Sequence, residues 1–168
     1  MRVEALAAER GVALVWRPFL LGPLFAAQGW RDSPFNLCPA KGRYMWRDLE
    51  RICGALGLPL TRPAPFPQNS LLAARAALAL DDALRPSYSR AVYRAEIGVA
   101  PEPLLARAVE DANKTALKAQ TARAMALGLP DSPCLTTPDG EFFWGNDRLE
   151  QGLDWAHAHD SAAGKERA

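Results

Sequence analysis

Trp144-Gly145-Asn146-Asp147-Arg148-Leu149-Glu150 is the stretch on which the reading of this chain turns. Phe142, Phe143 and Trp144 are strand-favouring residues. Gly145 permits a sharp turn. Asp147 can cap the helix that follows, and Glu150, three residues on, completes a capping box. Amide groups at a helix start have no intrahelical acceptor and attract a carboxylate. Capping alone accounts for Asn146 and Asp147. An amino-acid head group fits the same residues, with the amides taking its carboxylate and Asp147 its ammonium. The residues by themselves leave both readings open.

Working outward, residues 134–137 and 141–144 read as the two strands of a hairpin around Pro138-Asp139-Gly140, a turn with proline fixing one angle and glycine supplying a positive one. A helix over 147–157 carries Leu149, Leu153 and Ala156 on one face. At the other end, a helix over 1–10 is closed by Gly11, and 12–16 reads as a buried strand running on to Phe19. Residues 21–39 form an ordered loop with a short helix near 25–28. Met45, Leu49, Ile52 and Leu56 recur at helical spacing and predict a helix over 41–56, stopped by Gly57 and Pro59. A Pro-rich connector covers 61–69.

Ser70 caps a helix to about 84 that is rich in Ala and Leu on most sides, hence well buried. Pro86 breaks it, and helices follow over 87–97, 104–112 and 114–127, with 98–103 a short linker and Gly128 a stop. Residues 161–168 form a polar, frayed tail. Strand, helical block, hairpin, helix is the order of an α/β domain whose small mixed sheet is interrupted by a helical subdomain. We read one domain over 1–168, with sheet-bearing parts at about 1–57 and 129–160 and the helical insertion at about 58–128.

The 168 residues carry a net charge of only +1. That excludes the basic footprint of a nucleic-acid binder. No apolar run spans a bilayer, and Met1-Arg2-Val3-Glu4 lacks the apolar core of a signal peptide. Cys38, Cys53 and Cys134 are an odd set without CxxC spacing, which argues against disulfides and zinc and for a cytoplasmic protein with free thiols. Nothing near Cys134 in sequence lowers a thiol pKa, so it reads as a buried strand cysteine. His157 and His159 lack the further ligands of a metal site. Trp16, Phe19, Phe25, Trp30 and Phe35 serve equally as core or as the wall of an aromatic-binding pocket.

Two more places bear on ligands. Ser132-Pro133 precedes a strand, where an X-Pro bond can be cis, although most are trans. Lys41 stands at the start of a helix, unfavourable to the dipole, and is either a solvated lysine or an anion clamp with Asn36 nearby.

The Trp144–Glu150 stretch and a second one, Ser33-Pro34-Phe35-Asn36-Leu37-Cys38-Pro39-Ala40-Lys41-Gly42-Arg43-Tyr44-Met45-Trp46-Arg47-Asp48-Leu49, together resemble the 2-hydroxychromene-2-carboxylate isomerases. These are DsbA-like, kappa-class relatives of the glutathione transferases. The resemblance implies a thioredoxin-like fold with a helical insertion and a glutathione cofactor. Asn146 and Asp147 are then the dock of the γ-glutamyl end, and Ser132 beside a cis Pro133 pairs with the cysteinyl part. Asn36 and Lys41 are then glutathione contacts, with Lys41 clamping the glycyl carboxylate or that of the substrate and Asn36 hydrogen-bonding nearby.

It also implies isomerisation between 2-hydroxychromene-2-carboxylate and trans-o-hydroxybenzylidenepyruvate in aromatic catabolism, with a small aromatic carboxylate as substrate. The glutathione thiolate is the nucleophile. A homodimer is compatible with it. Members of the family begin with a strand and a Ser-Pro-Tyr-type turn whose serine holds the glutathione sulfur. Here Ser33-Pro34-Phe35 comes after the strand of 12–19, so no catalytic serine is carried over. The resemblance therefore describes a copy truncated before its first central strand, with its activity open. The alternatives are a non-catalytic glutathione-binding remnant and, with no CxxC, least of all a DsbA-like thiol oxidoreductase.

Overall fold

The computed structural model describes residues 2–94 and 102–165, with side chains up to 159. The chain forms two compact units, Met1–Leu21 with Leu71–Ala168, and Gly22–Ser70.

In the first unit, β1 (Cys134–Thr136) and β2 (Phe142–Trp144) form an antiparallel pair, with Leu135 opposite Phe143. This is the hairpin the Pro-Asp-Gly turn predicts. Asp139 in the turn accepts hydrogen bonds from Thr137 Oγ1 and from Trp155 Nε1, the latter at 2.8 Å, so the turn is tied to helix α9 (Leu149–Lys165). These bonds, Thr137 first and then Trp155, hold the Asp139 carboxyl below its ordinary value near 3.8. A carboxyl lowered in the folded state stabilises it above the ordinary pKa, and that contribution is lost as pH falls through the folded value. Acid titration followed by circular dichroism should therefore show stability falling below about pH 4. Asp139→Asn should flatten that fall, and an unchanged slope would remove Asp139 from the account.

α9 lies close on the hairpin. A Cβ at Gly152 would stand 2.7 Å from Leu135 Cδ2 and 2.9 Å from Phe143, while Leu153 is fully buried. Helix α1 (Val3–Glu9) is tied to α9 by Arg10 to Asp154 at 2.6 Å and Arg2 to Glu150 at 2.6 Å. The capping box expected at Asp147 does not form. Asn146–Arg148 is a short 3-10 turn headed by Gly145 at φ 100°, and no side chain caps it. The glycine's positive φ turns the chain into the helix, which leaves the Asp147 carboxylate folded back toward Gly145 Cα instead of over the helix start.

The expected strand over 12–19 is not paired into a sheet. Its residues still alternate, with Val12, Leu14 and Trp16 half-buried and Ala13, Val15 and Arg17 exposed. A strand is defined by its ladder, and among the described residues no neighbour supplies one. The mixed sheet read from the sequence is thus one antiparallel pair.

The helical block comprises α5 (Leu71–Leu78), α6 (Arg85–Tyr93), α7 (Glu102–Ala108) and α8 (Asp111–Ala126). α5 packs on α6, α7 and α8. Ala76 and Ala108 are fully buried, with Leu72, Tyr88, Leu104 and Leu105 around them. Small side chains let the helices approach closely, as the Ala-rich sequence predicts. α5 ends at Leu78, earlier than the expected 84, because the Arg85 guanidinium takes the Ala77 and Leu80 carbonyls. Pro86 opens α6 instead of preceding it, where its missing N–H costs nothing. The expected helix end at 95–97 and most of the 98–103 linker lie outside the described residues. Where a frayed tail is expected, α9 continues to Lys165.

α2 (Leu21–Ala27) begins as the first unit ends. In the second unit, α3 (Pro34–Leu37) and α4 (Pro39–Ala55) stand where a loop is expected up to 39. Ser33 caps α3, its Oγ accepting from Phe35 N at 3.3 Å, and Pro34 occupies the first turn. The Pro-rich segment is no free connector. Phe66 meets the Trp46 ring edge-on at 5.1 Å, and the Arg62 guanidinium stands 5.2 Å from the Trp46 ring. Arg62 also pairs with Glu50 at 2.6 Å.

α4 approaches α3 so closely that a Cβ on Gly42 would stand 2.4 Å from the Phe35 carbonyl oxygen. That neighbour is backbone and cannot swing aside. Gly42→Ala should cost about 1–3 kcal/mol in urea unfolding, whereas a gain from the better helix propensity of alanine would contradict the packing argument.

Candidate functional site

One cluster of polar groups forms in the first unit, where β1 begins and β2 ends. The Ser132–Pro133 bond is cis. Gly145 N donates to Pro133 O at 3.0 Å, which fixes the proline segment against the turn that opens α9. The structure thus brings together four of the residues singled out from the sequence: Ser132, Pro133, Asn146 and Asp147. The Ser132 amide is already engaged, donating to Asp131 Oδ1 at 2.8 Å. Burial pushes the Asp131 carboxyl up, and the bond from Ser132 pulls it part of the way back.

Asn146 and Asp147 head the helical turn, and their amides find no acceptor among the described residues. The Asp147 side chain is 79% exposed, with Arg148 at 3.8 Å. Beside them lies a cation that sequence reading missed. Arg2 donates from Nη2 to Asn146 O at 3.2 Å, from Nε to Asn146 Oδ1 at 3.4 Å and from Nη1 to Glu150 at 2.6 Å. Arg2 and Asn146 are 144 positions apart, and no local pattern signals the pair.

The Cys134 thiol is pushed up, first by burial, and donates to Asp131 O at 3.1 Å. It is half-buried in its strand, and all three cysteines are free of disulfides. Among the described residues there is no cluster of metal-ligating side chains.

Asn36 and Lys41 belong to the second unit. Asn36 Nδ2 donates to both Asp32 carboxylate oxygens at 3.2 Å and to Phe66 O at 3.4 Å. Its amide therefore holds the α3 turn to the Pro-rich segment. Lys41 sits in the first turn of α4, exposed, with no ion-pair partner among the described residues. Of the aromatic residues, Phe25 and Trp30 pair at 5.6 Å, while Phe19 lines a cavity in the first unit.

The sequence profile described as the DSBA-like thioredoxin domain matches residues 1–98. A solved structure described as SeMet 2-hydroxychromene-2-carboxylate isomerase superposes with a TM-score of 0.77 at 21% identity, over 99% of this chain and 90% of that one. No curated protein sequence matches. The thioredoxin-like fold class expected from the two motif stretches is borne out by both matches. No helix among the described residues is long and apolar enough to cross a membrane.

Proposed function

Since this chain belongs to the DSBA-like thioredoxin-domain family, we propose that it binds glutathione at the head of α9 and acts in the manner of a 2-hydroxychromene-2-carboxylate isomerase. The similar solved structure is described as that isomerase. The observation that carries the reading is the pairing of two unengaged amides, on Asn146 and Asp147, with the exposed Asp147 carboxylate beside them. An α-amino acid end group presents the complementary set, one carboxylate and one ammonium. The residues present therefore fit the γ-glutamyl end of the tripeptide.

In this reading the Asn146 and Asp147 amides hold the γ-glutamyl carboxylate, with the Arg2 guanidinium adding positive charge beside them. Asp147 holds the ammonium. Bound glutathione supplies a thiol nucleophile toward a small aromatic carboxylate. No serine of this chain is assigned to that thiol. A thiol oxidoreductase reading ranks last, because Cys38, Cys53 and Cys134 form no CxxC pair.

Calorimetric titration with glutathione tests the site. Asp147→Ala should weaken binding about tenfold, or about 1.4 kcal/mol. Unchanged affinity would remove the proposed contacts. Isomerisation of the chromene substrate, measured with and without glutathione, then separates an enzyme from a protein that only binds the tripeptide.

A further inference from the structure

Arg2 stands at the head of α1 and reaches across to the turn that opens α9. Three of its N–H groups are spent there. Nη1 donates to Glu150 Oε1 at 2.6 Å, Nη2 to Asn146 O at 3.2 Å and Nε to Asn146 Oδ1 at 3.4 Å. Glu150 anchors the guanidinium, whose planar fork then faces both oxygens of one asparagine. The far end of α1 is pinned as well, with Arg10 on Asp154 at 2.6 Å, and Glu4 pairs with Arg90 of α6. The helix that carries Arg2 therefore has little freedom to roll on α9.

An asparagine side chain carries an acceptor oxygen on one side of its amide and a donor NH2 group on the other, and a half-turn of the amide exchanges them. At Asn146 the guanidinium decides between the two, because a cation attracts Oδ1 and repels the NH2 group. Nδ2 is thereby turned away from Arg2, and it has no hydrogen-bond partner among the described residues. Asn146 is exposed, and its own backbone amide and that of Asp147 are unengaged. Without the guanidinium, the exposed side chain is free to present Oδ1 in place of Nδ2. An acceptor oxygen there repels a carboxylate.

We propose that Arg2 is a positioning residue for the γ-glutamyl carboxylate: it fixes the Asn146 side chain so that Nδ2 joins the Asn146 and Asp147 backbone amides as a third donor. This rests on the glutathione reading and names how that site distinguishes a ligand with the carboxylate from one without it. Arg2 does so through Asn146, 144 positions away.

Calorimetric titration with two ligands tests this. One is reduced glutathione. The other has 4-aminobutyrate in place of the glutamyl residue and lacks only the α-carboxylate. The unaltered chain should prefer glutathione by about 100-fold. Arg2→Met should weaken glutathione binding about tenfold and leave the analogue unchanged, so that the preference drops to about tenfold. Arg10→Met loosens α1 on α9 without touching Asn146, and should leave the preference as it was. Asn146→Ala should lower the preference as Arg2→Met does, and adding Arg2→Met to it should cost less than about a further twofold.

Equal weakening of both ligands by Arg2→Met, as a merely structural loss would give, overturns the proposal, and so does an undiminished preference. Additive losses in the double variant overturn it too, because they give Arg2 a route other than Asn146. If circular dichroism shows that Arg2→Met does not fold, Asn146→Asp carries the same test. It keeps the oxygens for Arg2 but has no Nδ2, so the preference should fall by about tenfold or more, and a retained preference overturns the proposal. An unaltered chain that binds glutathione and the analogue equally overturns the carboxylate contact and the role of Arg2 together. An unaltered chain that binds neither ligand overturns the glutathione reading itself, which the Arg2 outcomes leave standing.

Discussion

Arg85→Met should lower the unfolding free energy by about 3–5 kcal/mol, because it removes three hydrogen bonds that a buried guanidinium donates to one buried and two half-buried carbonyls. Arg85 is 8% exposed. Its Nε donates to Ala77 O at 2.9 Å, Nη2 to Leu80 O at 3.0 Å and Nη1 to Trp16 O at 3.1 Å. Asp82 balances the charge at 2.6 Å. One side chain thus ends α5 and anchors the extended segment 12–19, two elements with no backbone bond between them. Methionine keeps most of the volume, so the loss measures the polar contacts and not a cavity. Arg85→Lys should recover only part of it, since an ammonium is a point donor where the guanidinium is a planar fork. Urea denaturation of both variants measures this, and a loss below about 1 kcal/mol for Arg85→Met would show that water replaces the guanidinium.

Leu153→Ala should cost a further class of contact, about 3–4 kcal/mol within the range for buried leucines. Leu153 is fully buried in α9, next to the Gly152 that meets the hairpin. The site has little freedom to collapse, because Gly152 already brings α9 to the limit of approach on Leu135 and Phe143. Leu153→Met keeps the volume and should cost under about 1.5 kcal/mol. Equal losses in the two variants would mean that cavity formation is not the cause. Thermal or urea unfolding separates them.

The hairpin, the Ala-rich helical block and the long α4 were legible in the sequence because each rests on local chemistry: a Pro-Asp-Gly turn, small residues at helical spacing, a four-residue apolar stripe. The cis Ser132–Pro133 bond and its nearness to Asn146 and Asp147 were legible only through resemblance to a family, since neither residue type nor spacing encodes them. The site's cation was not legible at all. Arg2 looks like any residue before a helix until the fold sets it on Asn146. The Asn36 amide bonds to the Phe66 carbonyl, 30 positions away, a contact that no local pattern signals.

Asp147 shows where local reading fails. Its spacing to Glu150 is that of a capping box, yet the positive φ of Gly145 rotates the turn and leaves no capping bond. Residues 12–19 show the complementary case. Their side chains alternate in exposure as a strand's do, and that much the sequence specified by itself. Whether they are a strand was decided by the tertiary structure, because a ladder needs a second backbone at hydrogen-bonding distance and no pattern within one segment can supply it. Turns, helix starts and apolar faces are set by neighbours in sequence. The guanidinium under the helical block and the arginine at the candidate site depend on groups far apart along the chain, which meet only when the chain has folded.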